Sequence, residues 1–226
     1  MLSNVIIVGA EKKLGKGILN ECLSNPEVDR VLLISRDKNL QLKHPKIKLL
    51  HLSDSENLDQ LTELIESYDS CFYCDRVSIK EVSKELYFDN NYTRTLKFAW
   101  NLLQANSSII FCYVSAAGTD NLEQANQYSA RINGKTENAL NKLNFKRVYH
   151  FRPAIVQPLN TKSLVQRGDQ IVRFFYPILR TFSKSYFLTF SELAKAMIYV
   201  SIYGYNKQIL EIHDISFLAN EGDPLV

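Results

Sequence analysis

The N-terminal segment constrains the fold more than any other stretch of the chain. Asn4-Val5-Ile6-Ile7-Val8 is a β-branched apolar run, the pattern of a strand buried on both faces of a parallel sheet. Gly9-Ala10-Glu11-Lys12-Lys13-Leu14-Gly15 follows, and Leu14, Ile18, Leu19, Cys22 and Leu23 then recur at helical spacing. Strand, glycine turn and helix in that order are the context in which a helix N-terminus receives a dinucleotide pyrophosphate. The first glycine of such a turn makes the bend, the middle one admits the backbone to the pyrophosphate, and the last packs helix on strand. Gly9 and Gly15 fill the outer roles. Lys12 stands at the middle position, where its side chain crowds the phosphates while its ammonium offers them a contact. Ala10, Lys13 and Leu14 complete the expected phosphate loop.

Beyond this opening, strands and helices alternate. Residues 30–35, 47–52, 71–74, 108–114 and 147–152 read as further strands. Helices are expected around Leu58, Leu61, Leu64 and Ile65, over 82–104 with Leu86, Leu96, Ala99, Leu102 and Leu103 on the core side, and over 125–143. The alternation predicts an α/β fold with a doubly wound parallel sheet. It stops at Pro153. An aromatic-rich helix is expected over 170–182. A second follows over 191–203, with Ser191 and Glu192 as its start signal and Gly204 as its stop, and then a last strand over 208–212. The reading is a single domain over 1–226, with 1–158 as the core and 159–226 as a small C-terminal helical and aromatic cap on the substrate side.

Size and charge exclude several classes. A chain of 226 residues with 46% hydrophobic and 23% charged residues is long enough for one large α/β core. A formal charge of +3 without any long Lys/Arg block argues against a nucleic-acid partner. The sequence has neither a charged-then-apolar leader nor an apolar run of membrane length, so a soluble cytoplasmic protein without a membrane partner is expected. Cys71 and Cys74 have CxxC spacing but fall on a strand, where residues three apart point to opposite faces. With no second Cys/His pair nearby, no metal is expected and the four cysteines read as buried structural thiols.

The ordered set of motifs resembles the atypical short-chain dehydrogenases/reductases, a Rossmann-fold group that includes NmrA-like and Tat-interacting-protein-like members. It comprises Val8-Gly9-Ala10 with Gly15, Ile34-Ser35-Arg36, Val114-Ser115-Ala116-Ala117-Gly118-Thr119-Asp120, Gly134 with Glu137, and Phe151-Arg152-Pro153. The resemblance implies binding of NADP(H) or NAD(H) across the C-terminal ends of the strands. It implies that Arg36 meets a 2′-phosphate and that Asp54 contacts adenine, unless these are a solvated arginine and a helix cap. The small residues usual after the fourth strand are replaced by Cys74-Asp75-Arg76-Val77, where Arg76 reads as a surface arginine or, alternatively, an anion ligand.

Catalysis in this group uses Ser, Tyr and Lys. The tyrosine exchanges a proton with the substrate, the lysine lowers its pKa, and the serine orients the carbonyl. Ser115 matches the serine. Aligned on Gly134, the lysine position is Asn133 and the tyrosine position Ser129. Tyr128 is adjacent but rotated by about a hundred degrees on an ideal helix. Two readings follow. In the first, the chain is a diverged dinucleotide-binding or regulatory protein whose hydride transfer is weak or lost. In the alternative it is an NADP-dependent reductase or epimerase-like enzyme acting on a small apolar carbonyl substrate through Ser115 and Tyr128, with Asn133 beside them. A third reading is a scaffold that binds no nucleotide. The aromatics Phe174, Phe175, Tyr176, Phe182, Tyr186 and Phe187 would line a substrate pocket or a homodimer interface.

Overall fold

A computed structural model describes residues 3–51, 64–153, 155–157 and 187–221. Strands β1 (Ser3–Val8), β2 (Val28–Ser35), β3 (Ile47–His51), β4 (Ser70–Tyr73), β5 (Ile110–Val114), β6 (Arg147–Arg152) and β9 (Ile209–Glu211) form one sheet. Its order is β3-β2-β1-β4-β5-β6-β9, and all pairings are parallel. A separate short parallel pair joins β7 (Ile155–Gln157) to β8 (Phe187–Thr189). The order reverses between β1 and β4, so the carboxyl ends of those strands open the crevice in which such folds place ligands.

The sheet is buried on both faces because its central strands are apolar over residues 5–8, 71–73 and 110–114. Val5 and Ile7 pack with Ile18, Leu19 and Cys22 of α1 (Lys13–Ser24). They share that core with α5 (Phe190–Tyr203) and α6 (Ile212–Glu221), through Leu193, Met197, Ile215 and Leu218. Ile6 and Val8 face the opposite layer, with Phe98, Ala99 and Leu102 of α3 (Arg94–Ala105). Cys71 and Cys74 fall in opposite layers as strand alternation requires, and all four thiols are free and buried.

Several elements differ from expectation. The helix expected over 82–104 is three pieces: α2 (Lys84–Phe88), a π turn (Asp89–Thr93) and α3. A π turn adds one residue to the helical repeat and so shifts the phase by about 100°. Leu86 therefore points outward and is 45% exposed, while Ala99 and Leu102 remain in the core. The N-cap of α5 is Thr189, not Ser191; it forms a capping box with Glu192, and Gly204 (φ 74°) ends the helix as expected. The last strand is shorter than 208–212 and runs into α6, which the sequence reading omits. Residues 187–221 were expected within the cap. Instead α5 and α6 complete one helical layer and β9 extends the sheet. The helix at 170–182, Asp54 and the aromatics from Phe174 to Tyr186 lie outside the described residues.

Candidate functional site

The phosphate loop is built as its glycines dictate. Gly9 has φ 90°, and a Cβ there would lie 2.6 Å from the backbone nitrogen of Asp75. Only glycine lets the β1 turn lie this close to the chain leaving β4. A Cβ on Gly15 would sit 2.3 Å from the Gly9 carbonyl oxygen, so this glycine seats the first turn of α1 on the bend. Ala10 is buried, Leu14 is half-buried against the core, and Lys13 is exposed.

Lys12 is the extended N-cap of α1. Its Nζ donates to Asp75 Oδ1 at 2.5 Å and to the Arg76 carbonyl oxygen at 2.8 Å. Arg36, at the end of β2, brings Nη1 to 4.0 Å from Asp75 Oδ2. One carboxylate thus faces both cations that the sequence assigns to phosphate groups. Asp37 is exposed and accepts from the Asn39 backbone N–H.

The catalytic end is organised by Arg76, which is not a free surface arginine. Its Nη1 donates to the Ser115 carbonyl oxygen at 2.6 Å and its Nη2 to Asn133 Oδ1 at 2.5 Å. The guanidinium lies 5.7 Å from the centroid of the Tyr113 ring. Tyr87, on α2, donates its hydroxyl to the same Asn133 oxygen at 2.9 Å and lies 3.4 Å from Arg76 Nη2. The π turn supports this arrangement, since buried Asn91 exchanges hydrogen bonds of 3.1 Å with both backbone groups of Val77. Ser115 is buried, with its hydroxyl 3.1 Å from Thr119 Oγ1.

Tyr128 does not join Ser115. It starts α4 (Tyr128–Leu140), its hydroxyl donates to the Lys84 carbonyl oxygen at 3.3 Å, and its ring lies between the cations of Lys84 and Arg131. Lys135 faces the rings of Phe88 and Tyr92, at 5.6 and 5.2 Å from their centroids. Ser129 and Asn133, four residues apart on α4, instead line a cavity of about 360 Å³ together with Arg76, Tyr87, Ala116 and Gly118.

A polar frame holds this end of the sheet. Asp120 accepts from the N–H groups of Leu122, Gln124 and Ala125 at 3.0, 2.7 and 2.6 Å. Those bonds, that from Ala125 foremost, draw its carboxyl below the usual range. Burial pushes Glu137 up, but its hydrogen-bonded pair with Arg152 at 2.5 Å wins and holds the carboxyl below its ordinary value. Arg152 also donates to Glu211 at 3.1 Å and to Asn121, tying β6, β9 and the β5–α4 connection together. Among the described residues no cluster of three His, Cys, Asp or Glu could hold a metal, and no helix is long and apolar enough to cross a membrane.

Asp75, Tyr87 and the buried role of Arg76 escaped the sequence reading. Its one usable signal was the absence of glycine after β4. That absence says the ribose path is altered, but not which side chains now fill it.

No family model matches the chain. Protein HTATIP2 of Rattus norvegicus is 24% identical over 225 residues, which cover 97% of this chain and 90% of that protein. An oxidoreductase of the short-chain dehydrogenase/reductase family from Burkholderia thailandensis superposes with a TM-score of 0.64 at 16% identity, covering 96% of this chain and 93% of that one. A short-chain dehydrogenase from Burkholderia cenocepacia J2315, solved with NADP, gives 0.61 at 15% identity, covering 98% and 92%. Fold and likeness together define a Rossmann-fold protein with the architecture seen in short-chain dehydrogenases/reductases. Its likeness to Protein HTATIP2, at 24% identity over nearly the full length of both chains, is that of a distant relative.

Proposed function

We propose that this chain is a single-domain dinucleotide-binding protein in which hydride transfer is weak or lost. The observation that carries the reading is the placement of Arg76. Its guanidinium bridges the Ser115 carbonyl and Asn133, so the residue at the lysine position is engaged by a cation rather than supplying one. The tyrosine position is Ser129, and the neighbouring phenol of Tyr128 is tied to Lys84 on another helix.

The residues present fit a dinucleotide through side-chain motion alone. The Gly9 turn and the first N–H groups of α1 suit a pyrophosphate, and Arg36 suits a 2′-phosphate by geometry and permanent charge. Lys12 is partly exposed, and an ion pair of that kind is worth about 0–1 kcal/mol. A phosphate can therefore replace Asp75 as the partner of Lys12 and Arg36 at little cost. When bound, the nicotinamide would supply the hydride chemistry, and among the described residues no phenol–lysine pair stands beside Ser115 to move the accompanying proton. NADP(H) is the favoured dinucleotide because Arg36 has no comparable role toward an unphosphorylated ribose.

Calorimetric titration with NADPH and NADH tests the reading. The wild type should bind NADPH more tightly than NADH. Asp75→Asn, which removes the carboxylate facing Lys12 and Arg36, should strengthen NADPH binding by up to about fivefold. Absence of binding by both proteins would leave a scaffold that holds no nucleotide. Turnover of a carbonyl substrate that disappears in Tyr128→Phe would restore the enzyme reading.

A further inference from the structure

We infer that the cavity beneath Arg76 binds a small organic carboxylate, with the guanidinium as its counter-ion. The cavity lies at the end of the proposed dinucleotide path, so the inference names the ligand class of that same site and rests on the dinucleotide reading for its setting. Its basis is a charge without a partner. Among the described residues, every hydrogen bond of the Arg76 side chain goes to a neutral oxygen: the Ser115 carbonyl, the Asn133 amide and the Tyr87 hydroxyl. Among the described residues no carboxylate lies within 4.0 Å of it. The nearby acids are already matched, Asp75 to Lys12 at 2.5 Å and Glu137 to Arg152 at 2.5 Å. The Arg76 Nε is fully buried and has no acceptor.

The half-buried guanidinium meets neutral hydrogen-bond partners and the Tyr113 ring, and an anion in the cavity adds the charge-assisted contact that these do not supply. The cavity supplies the room. At about 360 Å³ it lies at the small end of ligand pockets, which selects a compact acid. Its walls suit such a molecule: Val77, Ile79 and Ala116 are apolar, whereas Gln127 and Ser129 can hydrogen-bond the ligand's remaining polar atoms. A Cβ on Gly118 would meet nothing within 4 Å, so this edge of the cavity is open to entry. A planar carboxylate matches a guanidinium better than a compact amine ligand or a neutral amide does.

The test uses benzoate and succinate as probes, with benzamide and succinamide as neutral controls, read by amide chemical shifts of the full chain. The acids should shift the resonances of Gly118, Ser129 and Asn133, while the amides should not. Arg76→Gln should weaken acid binding by about tenfold or more. Because that variant also removes three hydrogen bonds, Asn133→Asp provides a second arm. A carboxylate placed there pairs with Arg76 internally, so the variant should fold at least as stably and still lose acid binding. NADPH titration of the same samples separates this outcome from failure of the dinucleotide reading. The inference is overturned if neither acid binds at saturating millimolar concentration, if the amides bind equally well, or if acid binding survives in both variants. Inorganic phosphate displacing the acids through Arg76 at far lower concentration would reassign the site to phosphate and overturn the carboxylate.

Discussion

At the scale of single residues, the site is governed by which cation meets which carboxylate. Lys12 and Arg36 stand out in the sequence as candidate phosphate ligands from their positions after β1 and β2. Asp75, which faces both, does not, because its approach to Lys12 joins residues 63 positions apart through the packing of Gly9 on the β4 exit. His150 makes a second residue-scale point. Its imidazole is buried in β6, with Nε2 at 2.8 Å from Asn141 Oδ1 and Nδ1 without a hydrogen-bond partner among the described residues. Burial depresses its pKa from 6.5 to about 4, only partly opposed by Glu137, with Arg152 acting in the same direction as burial. Above pH 6.5 the ring is neutral in both folded and unfolded chains, and its contribution is constant. Between that value and about 4 the unfolded chain binds the proton first, so stability falls as pH falls, by about 3 kcal/mol in all. Urea unfolding at a series of pH values should show this slope, and His150→Gln should flatten it. An unchanged slope would place the acid sensitivity in the carboxylates alone.

At the scale of elements, the register of α4 sets which side chains face the cavity. Gly134 is the fixed point, since a Cβ there would lie 1.8 Å from the Asp120 carbonyl oxygen. The helix can approach the β5–α4 connection only at this glycine, and that contact puts Ser129 and Asn133 toward Ser115. Gly134→Ala should destabilise the fold by about 3 kcal/mol, the upper range for overpacking against backbone, as measured by the midpoint of denaturant unfolding. A change below about 0.5 kcal/mol would mean that the helix shifts freely and that its register is not set there. The π turn shows the opposite case. Its one extra residue moves Leu86 off the core and brings Asn91 onto Val77, and no periodicity in 82–104 announces it. A widened turn costs little in local propensity, so sequence pattern cannot see it; the contacts with the β4 exit decide it.

At the scale of the whole molecule, the sheet is a sealed layer between two apolar cores, and the cysteines report on it. Cys22, Cys71, Cys74 and Cys112 are buried, and burial pushes all four thiols well above their ordinary range. They should be inert to a thiol reagent in the native protein and become labelled only at the rate of global unfolding. Fast labelling without denaturant would show that β4 and β5 open locally. The sequence by itself determined the layered parallel sheet, because β-branched runs buried on both faces alternate with amphipathic helices and admit few other arrangements. It also determined the glycine turn after β1, which is local in the chain. What fills the cleft was decided only by tertiary structure. The Lys12–Asp75 pair, the Arg76 bridge and the inward Tyr87 join separate segments across the carboxyl ends of the strands, and such contacts depend on distances in space that spacing along a chain does not encode.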